Sequence, residues 1–340
     1  MIPWLRAPEL KEDLITLLVI VCVLLSARAL WVSPVWHDRM RRLWRSRAAR
    51  VALAILAVYA LFAVMDSIVW HNPPYGVTKS ALDRVFERQS ERTYSAPLAH
   101  QDFGVRNPRP LKTWHLLGTD GVGNDVLYDT LKGCRTAWIV GGFTLIISLP
   151  FAIVLGIVAG YFGGWIDDAV QYVYITISSI PTLLLLITLM MVMGPGLLQI
   201  CIALAVNEWV GLARYLRGET LKHREKEYVM AARAFGVHPL RILQRHILPN
   251  VFHLIIISAT LSFSGLILSE AILSFLGIGV PVGTGSWGLM ISAAQMELAR
   301  EPVVWWVLTS AAVALFGIVL AANIFGDAVR DALDPRLREG

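Results

Sequence analysis

The feature that most constrains the fold of this chain is a series of apolar stretches, each about 20 residues long. A helix of this length matches the hydrocarbon core of a bilayer and satisfies its own backbone hydrogen bonds there. The sequence therefore predicts an all-α, polytopic membrane protein. The seven stretches are Leu14–Ser33, Val51–Trp70, Ala137–Gly160, Ala169–Met193, Gly196–Ala213, Val251–Ile278 and Val303–Gly326.

The composition supports this class and excludes others. Hydrophobic residues make up 56% of the 340 residues and charged residues 16%, whereas an average soluble domain carries about 25% charged residues. The cysteines lie far apart, in or beside apolar runs. This placement excludes a disulfide scaffold and a cysteine zinc site, and it predicts small buried side chains. The cysteines are Cys22, Cys134 and Cys201.

Basic residues between the stretches predict the orientation in the membrane. Six arginines lie within Arg39–Arg50, after the first stretch, and eight basic residues lie within Arg214–Arg245, after the fifth. Loops rich in lysine and arginine stay on the cytoplasmic side. We therefore expect the N-terminus outside and a cytoplasmic C-terminal tail.

The long loop between the second and third stretches is predicted to contain two helices. Lys79–Arg92 is amphipathic. The apolar side chains on its inner face are Leu82, Val85 and Phe86. A short second helix is expected after residue 125, with Asn124 or Asp125 as its N-cap. Asp120 and Asp125 either cap backbone N–H groups or bind a cation, and capping is the favoured reading.

Catalytic and nucleotide-binding motifs are absent from the sequence. No glycine is followed by lysine, so the phosphate-binding G-x-x-x-x-G-K-[ST] loop is missing, and neither H-E-x-x-H nor G-x-S-x-G occurs. His246 and His253 come close to helical spacing and are interpreted as interfacial residues rather than metal ligands. The sequence predicts no catalytic residue, cofactor or metal on this chain.

Ionisable residues inside the apolar stretches are candidates for a transport path, because a charge in lipid is costly. Arg28 and Asp66 lie near the ends of their stretches and are predicted to reach the headgroups. Glu208 lies near the inner end of the fifth stretch. Glu270 lies well inside the sixth, where it is either a path carboxylate or a hydrogen-bonded structural residue. The candidate path residues are Glu270, Ser269 and Ser274.

The most informative segment is the predicted cytoplasmic loop. Tyr228, Ala231, Ala232 and Phe235 are spaced at i, i+3, i+4 and i+7, which places them on one face of a short helix. Two interpretations are open: a docking surface for another protein, or an amphipathic helix on the inner leaflet. The alanine pair favours docking, because small side chains let a second surface approach closely.

The residues after this face predict a helix–turn–helix. Gly236 occupies the position at which a left-handed residue ends a helix. Pro239 suits the first turn of a second helix, which is expected to run to Leu248 and to stop at Pro249. The segment would then project as a short double helix on the cytoplasmic side.

This loop resembles the Glu-Ala-Ala loop of ABC-importer permeases, with Met230 at its usually acidic first position. The matching residues are Ala231, Ala232, Gly236, Ile247, Leu248 and Pro249. Over residues 115–340 the chain resembles the dipeptide/oligopeptide branch of these permeases, second-permease type. The further matching motifs are Leu117–Leu127, Gly160–Asp168, Trp209–Glu219, Glu270–Pro281, Gly285–Gly288 and Gly326–Arg338.

The resemblance implies a type I ABC-importer transmembrane fold with six core helices, so that Leu14–Ser33 is an additional N-terminal helix. Two departures are Asn124, where the family usually has arginine, and Ile175, where an acidic residue often precedes Pro181.

The resemblance also divides the chain into four parts. The first is an N-terminal helix with a basic link at 1–50, and the second is the first core helix with an extracytoplasmic loop at 51–136. The core transmembrane domain follows at 137–326, with a cytoplasmic coupling loop at 214–250, and a cytoplasmic tail ends the chain at 327–340.

The function implied is that of a non-catalytic permease subunit in a bacterial cytoplasmic membrane, moving di- or oligopeptides inward. Its implied partners are a homologous second permease, two ABC ATPase subunits that hold the ATP and Mg²⁺, and an extracytoplasmic binding protein; no nucleic acid is involved. The residues implied in coupling to the ATPases are Glu227, Tyr228, Ala231, Ala232, Phe235, Gly236, Ile247, Leu248 and Pro249.

Other functions remain open at this point. A stand-alone secondary transporter or channel needs repeats or broken helices at mid-membrane, and the two halves of the chain show no repeat. A membrane-embedded enzyme needs clustered catalytic groups. Nickel chelates, opines or other small solutes are alternative cargoes, because the binding protein, another chain, largely sets specificity.

Overall fold

The computed structural model describes residues 14–22, 41–71, 78–86 and 90–333, and these residues are mostly helical. Their helices and strands are α1 (residues 14–22), α2 (residues 41–45), α3 (Arg47–Ser67), β1 (Val69–His71), β2 (Thr78–Ser80), α4 (Ala81–Phe86), α5 (Val126–Phe162), α6 (Gly164–Ser178), α7 (Thr182–Met193), α8 (Leu197–Arg224), α9 (Glu227–Ala234), α10 (Pro239–Ile242), a π-helix (Leu243–Ile247), α11 (Leu248–Phe275), α12 (Trp287–Ala294), a 3₁₀-helix (Gln295–Ala299) and α13 (Trp306–Leu333).

Five helical segments of the described chain are long and apolar enough to cross a membrane, which confirms the predicted polytopic class. They are α3, α5, α8, the continuous run Pro239–Phe275, and α13. The helices α6 and α7 make a sixth span if they are counted together. Six spans match the core helix number that the resemblance implies.

The fourth predicted span, Ala169–Met193, is not one straight helix. Its two halves, α6 and α7, meet at an angle of 87°. Pro181 causes the break, because its ring removes a backbone donor and disfavours helical geometry at Ile180 before it. The second half then ends at Gly194, which has a φ of +79°.

The additional N-terminal span is described only in part. Residues 14–22 are helical, and the rest of Leu14–Ser33 lies outside the described residues. Within α1, Thr16 and Val19 are buried. Val19 contacts α5 at Gly142, where any larger residue would collide with it.

The central helix pair is α5 and α8, which run parallel. The Sγ of Cys201 lies 3.9 Å from the carbonyl oxygen of Ile139 near one end. Towards the other end, a Cβ on Gly156 would lie 2.6 Å from the Ala213 carbonyl oxygen, and one on Gly160 2.7 Å from that of Arg217. These glycines let the backbones touch, as small residues do in membrane helix pairs.

Helix α5 is longer than predicted. Asp125 is its N-cap, as expected, and its Oδ1 accepts hydrogen bonds from the backbone N–H groups of Leu127 and Tyr128. The predicted short helix and the predicted Ala137–Gly160 span form one helix of 37 residues. Their separation is wrong because Lys132 and Arg135, which interrupt the apolar pattern, pair with carboxylates instead of ending the helix.

Residues 90–125 cover the start of α5. His115 is fully buried, and its Nδ1 lies 2.7 Å from Asp125 Oδ2. Asp120 accepts hydrogen bonds from the backbone N–H groups of Val122 and Asn124, which is the predicted capping role. No group of three or more metal-ligating side chains occurs in the described residues.

The predicted amphipathic helix of this loop is shorter than Lys79–Arg92. Helix α4 covers six residues, and residues 87–89 lie outside the described chain. Leu82 is buried, as predicted. Val85 is 64% exposed, so the predicted three-residue face does not form. One and a half turns of helix are too few to bury all three positions against α3 and α5.

Candidate functional site

The turn after α9 has the predicted geometry. Gly236 has a φ of +73°, in the left-handed region that favours glycine. Its N–H donates to the carbonyl of Arg233 at 2.9 Å, and the N–H of Val237 donates to the carbonyl of Ala232 at 3.0 Å. These two bonds form the Schellman motif that satisfies the last carbonyls of a helix.

The second helix of the loop begins as predicted but does not stop at Pro249. Pro239 occupies the first turn of α10, and the ring of His238 accepts the N–H of Leu240. The chain then continues through the π-helix into α11, where Pro249 lies in the first turn. The π-helix changes the hydrogen-bond register just before Pro249. Proline is tolerated there because the backbone N–H that it lacks would have had no partner at that position.

The predicted apolar face of α9 is divided between the interior and the surface. Ala232 is 9% exposed and packs inside with Val229. In contrast Tyr228, Ala231 and Phe235 are exposed, Phe235 to 87%. The prediction that Ala232 shares one outward face with them is wrong.

Sequence reasoning missed Val229 because the helix is only 8 residues long. Val229 and Ala232 form one i, i+3 stripe, and Tyr228, Ala231 and Phe235 form an adjacent one. Periodicity alone does not show which stripe is covered. Leu216 on α8, with Ile242 and Ile247 after the turn, supplies the cover.

Polar contacts fasten α9 to the ends of the long helices. The guanidinium of Arg233 stacks on the ring of Tyr161 at 4.6 Å, and its Nε donates to the Tyr161 hydroxyl at 3.2 Å. The hydroxyl of Tyr228 lies 2.6 Å from Nδ1 of His223 on α8. Partial burial raises the pKa of the Tyr228 hydroxyl above its ordinary value. The short helix is therefore tied to both α5 and α8.

The remaining predicted coupling residues occupy different environments. Glu227 is exposed in the first turn of α9. Ile247 is fully buried, Leu248 is half-buried and Pro249 is exposed. Ile247 therefore holds the loop against the helix bundle. On α9 and at its C-terminal end, the predicted coupling residues that are exposed are Glu227, Tyr228, Ala231, Phe235 and Gly236.

Glu270 lies in the interior of the chain. It is 2% exposed, and its Oε1 accepts hydrogen bonds from the hydroxyls of Ser274 at 2.7 Å and Ser286 at 2.8 Å. This placement keeps the carboxylate away from lipid and favours the structural reading of the two. Ser269 is not part of the cluster, because its hydroxyl donates to the carbonyl of Gly265.

The sequence of this chain matches a known family of membrane proteins. The family model described as "Binding-protein-dependent transport system inner membrane component" matches residues 152–339. This chain belongs to that family. The permease is 34% identical to the dipeptide transport system permease protein DppC of Bacillus subtilis, over 89% of this chain and 86% of the relative. It is 35% identical to the oligopeptide transport system permease protein OppC of Haemophilus influenzae, over 89% of each chain.

The chain also matches, in part, a solved structure of the MetNI methionine ABC transporter in an inward-facing conformation. The match has a TM-score of 0.46 and 21% identity, and it covers 61% of this chain and 95% of the other. The family resemblance found in the motifs is confirmed by the family model and the curated relatives.

Four of the permease motifs contact each other in two pairs. Asp167, in the Gly160–Asp168 motif, receives hydrogen bonds from Arg217, in the Trp209–Glu219 motif, at 2.5 and 2.6 Å. The hydroxyl of Ser286, in the Gly285–Gly288 motif, donates to Glu270, which begins the Glu270–Pro281 motif. These motifs therefore hold the helix bundle together.

Asp66 is a buried ionic site that sequence reasoning missed. It is 5% exposed, accepts the Ser80 hydroxyl at 3.0 Å, and lies 3.7 Å from Arg135 and 4.0 Å from Lys132. The prediction that it reaches the headgroups is wrong, because basic partners on α5 compensate its charge inside the protein. The sequence signal was the pair of basic residues that interrupts the apolar pattern of α5.

Proposed function

We propose that this permease is one of two membrane subunits of an ATP-driven importer that carries di- or oligopeptides inward across a bacterial cytoplasmic membrane. The observation that carries the proposal is the exposed stripe of α9 in a chain of this family, on a loop that matches the coupling-loop pattern. Relatives named as dipeptide and oligopeptide permeases support the peptide cargo.

The partners of the permease follow from this proposal. A homologous second permease completes the path, a binding protein delivers the peptide from outside, and two ATPase subunits bind on the cytoplasmic side. ATP and Mg²⁺ belong to the ATPases, and this chain carries no cofactor. The basic residues of the 214–250 loop support the cytoplasmic placement of α9 and of the C-terminus.

Coupling runs through the contacts of α9. Closure of the ATPase dimer displaces the exposed stripe of Tyr228, Ala231 and Phe235. Val229 and Ala232 pass the displacement to α8 through the shared apolar cluster, and Arg233 passes it to α5 through Tyr161. The π-helix connects the same loop to α11 without interruption.

A tryptophan at Ala231 tests this coupling. Ala231 is exposed, so the larger side chain is expected to leave the fold intact while it separates α9 from the ATPase subunit. We expect peptide transport and peptide-stimulated ATPase activity to fall by at least about tenfold in the purified, reconstituted complex. Ala232→Trp is the matched control on the same helix, and it is expected to lower the melting temperature because Ala232 is buried.

A second variant separates docking from membrane binding. If α9 lies on the inner leaflet instead, Ala231→Trp keeps wild-type coupling, and Lys222→Gln with Lys226→Gln reduces transport by weakening attraction to anionic lipid. ATP-independent uptake by the chain alone would support the secondary transporter and contradict the proposal. Identification of the subunits and ligand that co-purify with the permease tests the partners and the cargo.

A further inference from the structure

A cavity of about 350 Å³ lies among α5, α8 and α11, inside the membrane-spanning part of the permease. Its size falls in the range of small-molecule sites. Helix α8 places Glu208 there, about 17 Å along the helix from its start at Leu197. The polar and aromatic side chains that line it are Ser148, Glu208, Trp209, Tyr215, Ser258 and Ser262.

The cavity contains an unused hydrogen-bonding group. Ser148 is 2% exposed, and its hydroxyl has no hydrogen-bond partner among the described residues. Most buried hydroxyls in proteins are paired, because one left without a partner has lost its hydrogen bonds to water and gained none in return. The hydroxyl of Ser148 is therefore a group that a molecule in the cavity would satisfy.

The half-buried carboxylate of Glu208 differs from the buried carboxylates of the bundle. Asp66 and Asp167 each lie beside basic side chains, and Glu270 is enclosed with two serine hydroxyls. Glu208 is hydrogen-bonded to Ser262 and has no ion pair within the described part of the chain. Arg214, six residues further on, bonds to Ser178 and stacks on Tyr174 instead.

We propose that this cavity binds a primary ammonium group of a solute in transit, namely the α-amino group of a peptide; the peptide identity rests on the proposed function. An ammonium has three N–H donors and no acceptor. Glu208 supplies the compensating charge, and the hydroxyls of Ser148 and Ser258 supply acceptors. The rings of Trp209 and Tyr215 supply faces that favour a cation. A charged carboxylate at membrane depth is costly, and a cation in the cavity would offset that cost.

A thiol at position 148 tests whether the cavity is wet and selects cations. Ser148→Cys is made in a chain whose Cys22, Cys134 and Cys201 are replaced by alanine, and the whole complex is labelled in membranes with cationic and anionic methanethiosulfonates. We expect the cationic-to-anionic rate ratio to fall at least about tenfold when Glu208→Gln is added. We also expect trialanine to slow the cationic reaction only while Glu208 is present.

Two labelling results would overturn the site. In one, neither reagent reaches the thiol, so the cavity is closed to water. In the other, the rate ratio is the same with Glu208 and with Glu208→Gln, so the carboxylate does not select cations. Both results are obtained without any transport measurement, and they therefore decide the site separately from the peptide-import assignment.

Transport by the reconstituted complex tests the ligand group. The wild-type complex is expected to import trialanine at least about tenfold faster than N-acetyl-trialanine, and Glu208→Gln is expected to remove most of that preference. Glu208→Asp, which keeps the charge, should retain part of it. Glu270→Gln is the matched control, because Glu270 lies outside the cavity, and it should leave the preference unchanged.

The remaining outcomes separate the alternatives. An equal preference for the free amine in the wild type and in Glu208→Gln overturns the proposal. A second result would also overturn the proposal. If the double variant Glu208→Gln with Arg28→Gln transports normally while Glu208→Gln alone does not, the role of Glu208 is to neutralise Arg28 of its own chain. If the wild-type complex imports neither peptide, the proposed cargo fails, while the labelling ratio still decides the cation site.

Discussion

At the residue scale, the ion pair between Asp167 and Arg217 joins two of the motifs that identify the family. Both side chains are mostly buried, and the guanidinium makes two hydrogen bonds to the carboxylate. Removal of either partner from a bidentate pair of this kind destabilises the protein, because the other charge then stays buried without compensation. At Asp167 and Arg217, the two motifs therefore serve to stabilise the fold.

Arg217→Met measures this effect. We expect the variant to lose about 3 kcal/mol of stability, seen as a lower melting temperature of the purified complex, because Asp167 keeps its charge without its partner. The double variant Asp167→Leu with Arg217→Met should recover a large part of that loss. Equal melting temperatures for Arg217→Met and the wild type would show that the pair contributes little.

Gly236 provides a second prediction at this scale. A Cβ at Gly236 would meet no atom within 4 Å, so only its φ of +73° opposes substitution. Gly236→Val is expected to cost about 1–2 kcal/mol locally and to reduce transport by misplacing α9, with membrane insertion unchanged. Gly236→Asn is the control, because asparagine tolerates left-handed geometry better. The two variants are compared by their transport rates at equal amounts of protein in the membrane. An equal loss of transport in both would contradict a conformational cause.

At the element scale, the contact between α5 and α8 depends on the absence of side chains. Gly156 and Gly160 are four residues apart and lie against backbone atoms of α8. Lipid tails are as apolar as leucine, so close packing drives helix association in membranes more than hydrophobicity does. These glycines therefore set the distance between the two central helices.

Gly160→Leu tests this close approach. The larger side chain must displace α8, because an added Cβ would already lie 2.7 Å from the carbonyl oxygen of Arg217. We expect a destabilisation of about 2–3 kcal/mol and a complex that assembles poorly, measured by size-exclusion chromatography and thermal melting. Gly218→Leu, on α8, is the control, since a Cβ at Gly218 would meet nothing within 4 Å. Similar assembly of the two variants would argue against the close contact.

The break between α6 and α7 has a consequence at the same scale. Residues 178–184, which include Pro181, are exposed in the isolated chain. Irregular backbone at membrane depth does not face lipid, because its polar groups find no partners there. We therefore expect protein or water, and not acyl chains, to cover this corner in the membrane.

A photo-crosslinking residue at Ile180 tests this expectation. In the purified complex it should join the permease to its second membrane subunit. The same residue at Phe316, which is 66% exposed on the continuous helix α13, is the control and should label lipid. Labelling of lipid from position 180 at the level seen from position 316 would contradict the argument.

At the scale of the whole molecule, the 90–125 loop and the short helix α9 lie at opposite ends of the helix bundle. Residues 90–125 cover the start of α5, and α9 packs at the other end of the same helix, about 55 Å away. The Glu208 cavity lies between these ends. This arrangement fits a subunit that transmits movement between a cytoplasmic partner and a path for solute.

The sequence by itself determined the membrane class, a helix cap at Asn124 or Asp125, the Gly236 turn and the family, because each depends on apolar length or on residues close together in the chain. Only the tertiary structure decided that Ala232 and Val229 face inward, that Asp66 is paired with α5, and that the fourth span breaks at Pro181. It also decided that α11 continues from the π-helix through Pro249. These outcomes depend on which distant residue covers a given face, and helical periodicity carries no information about that partner.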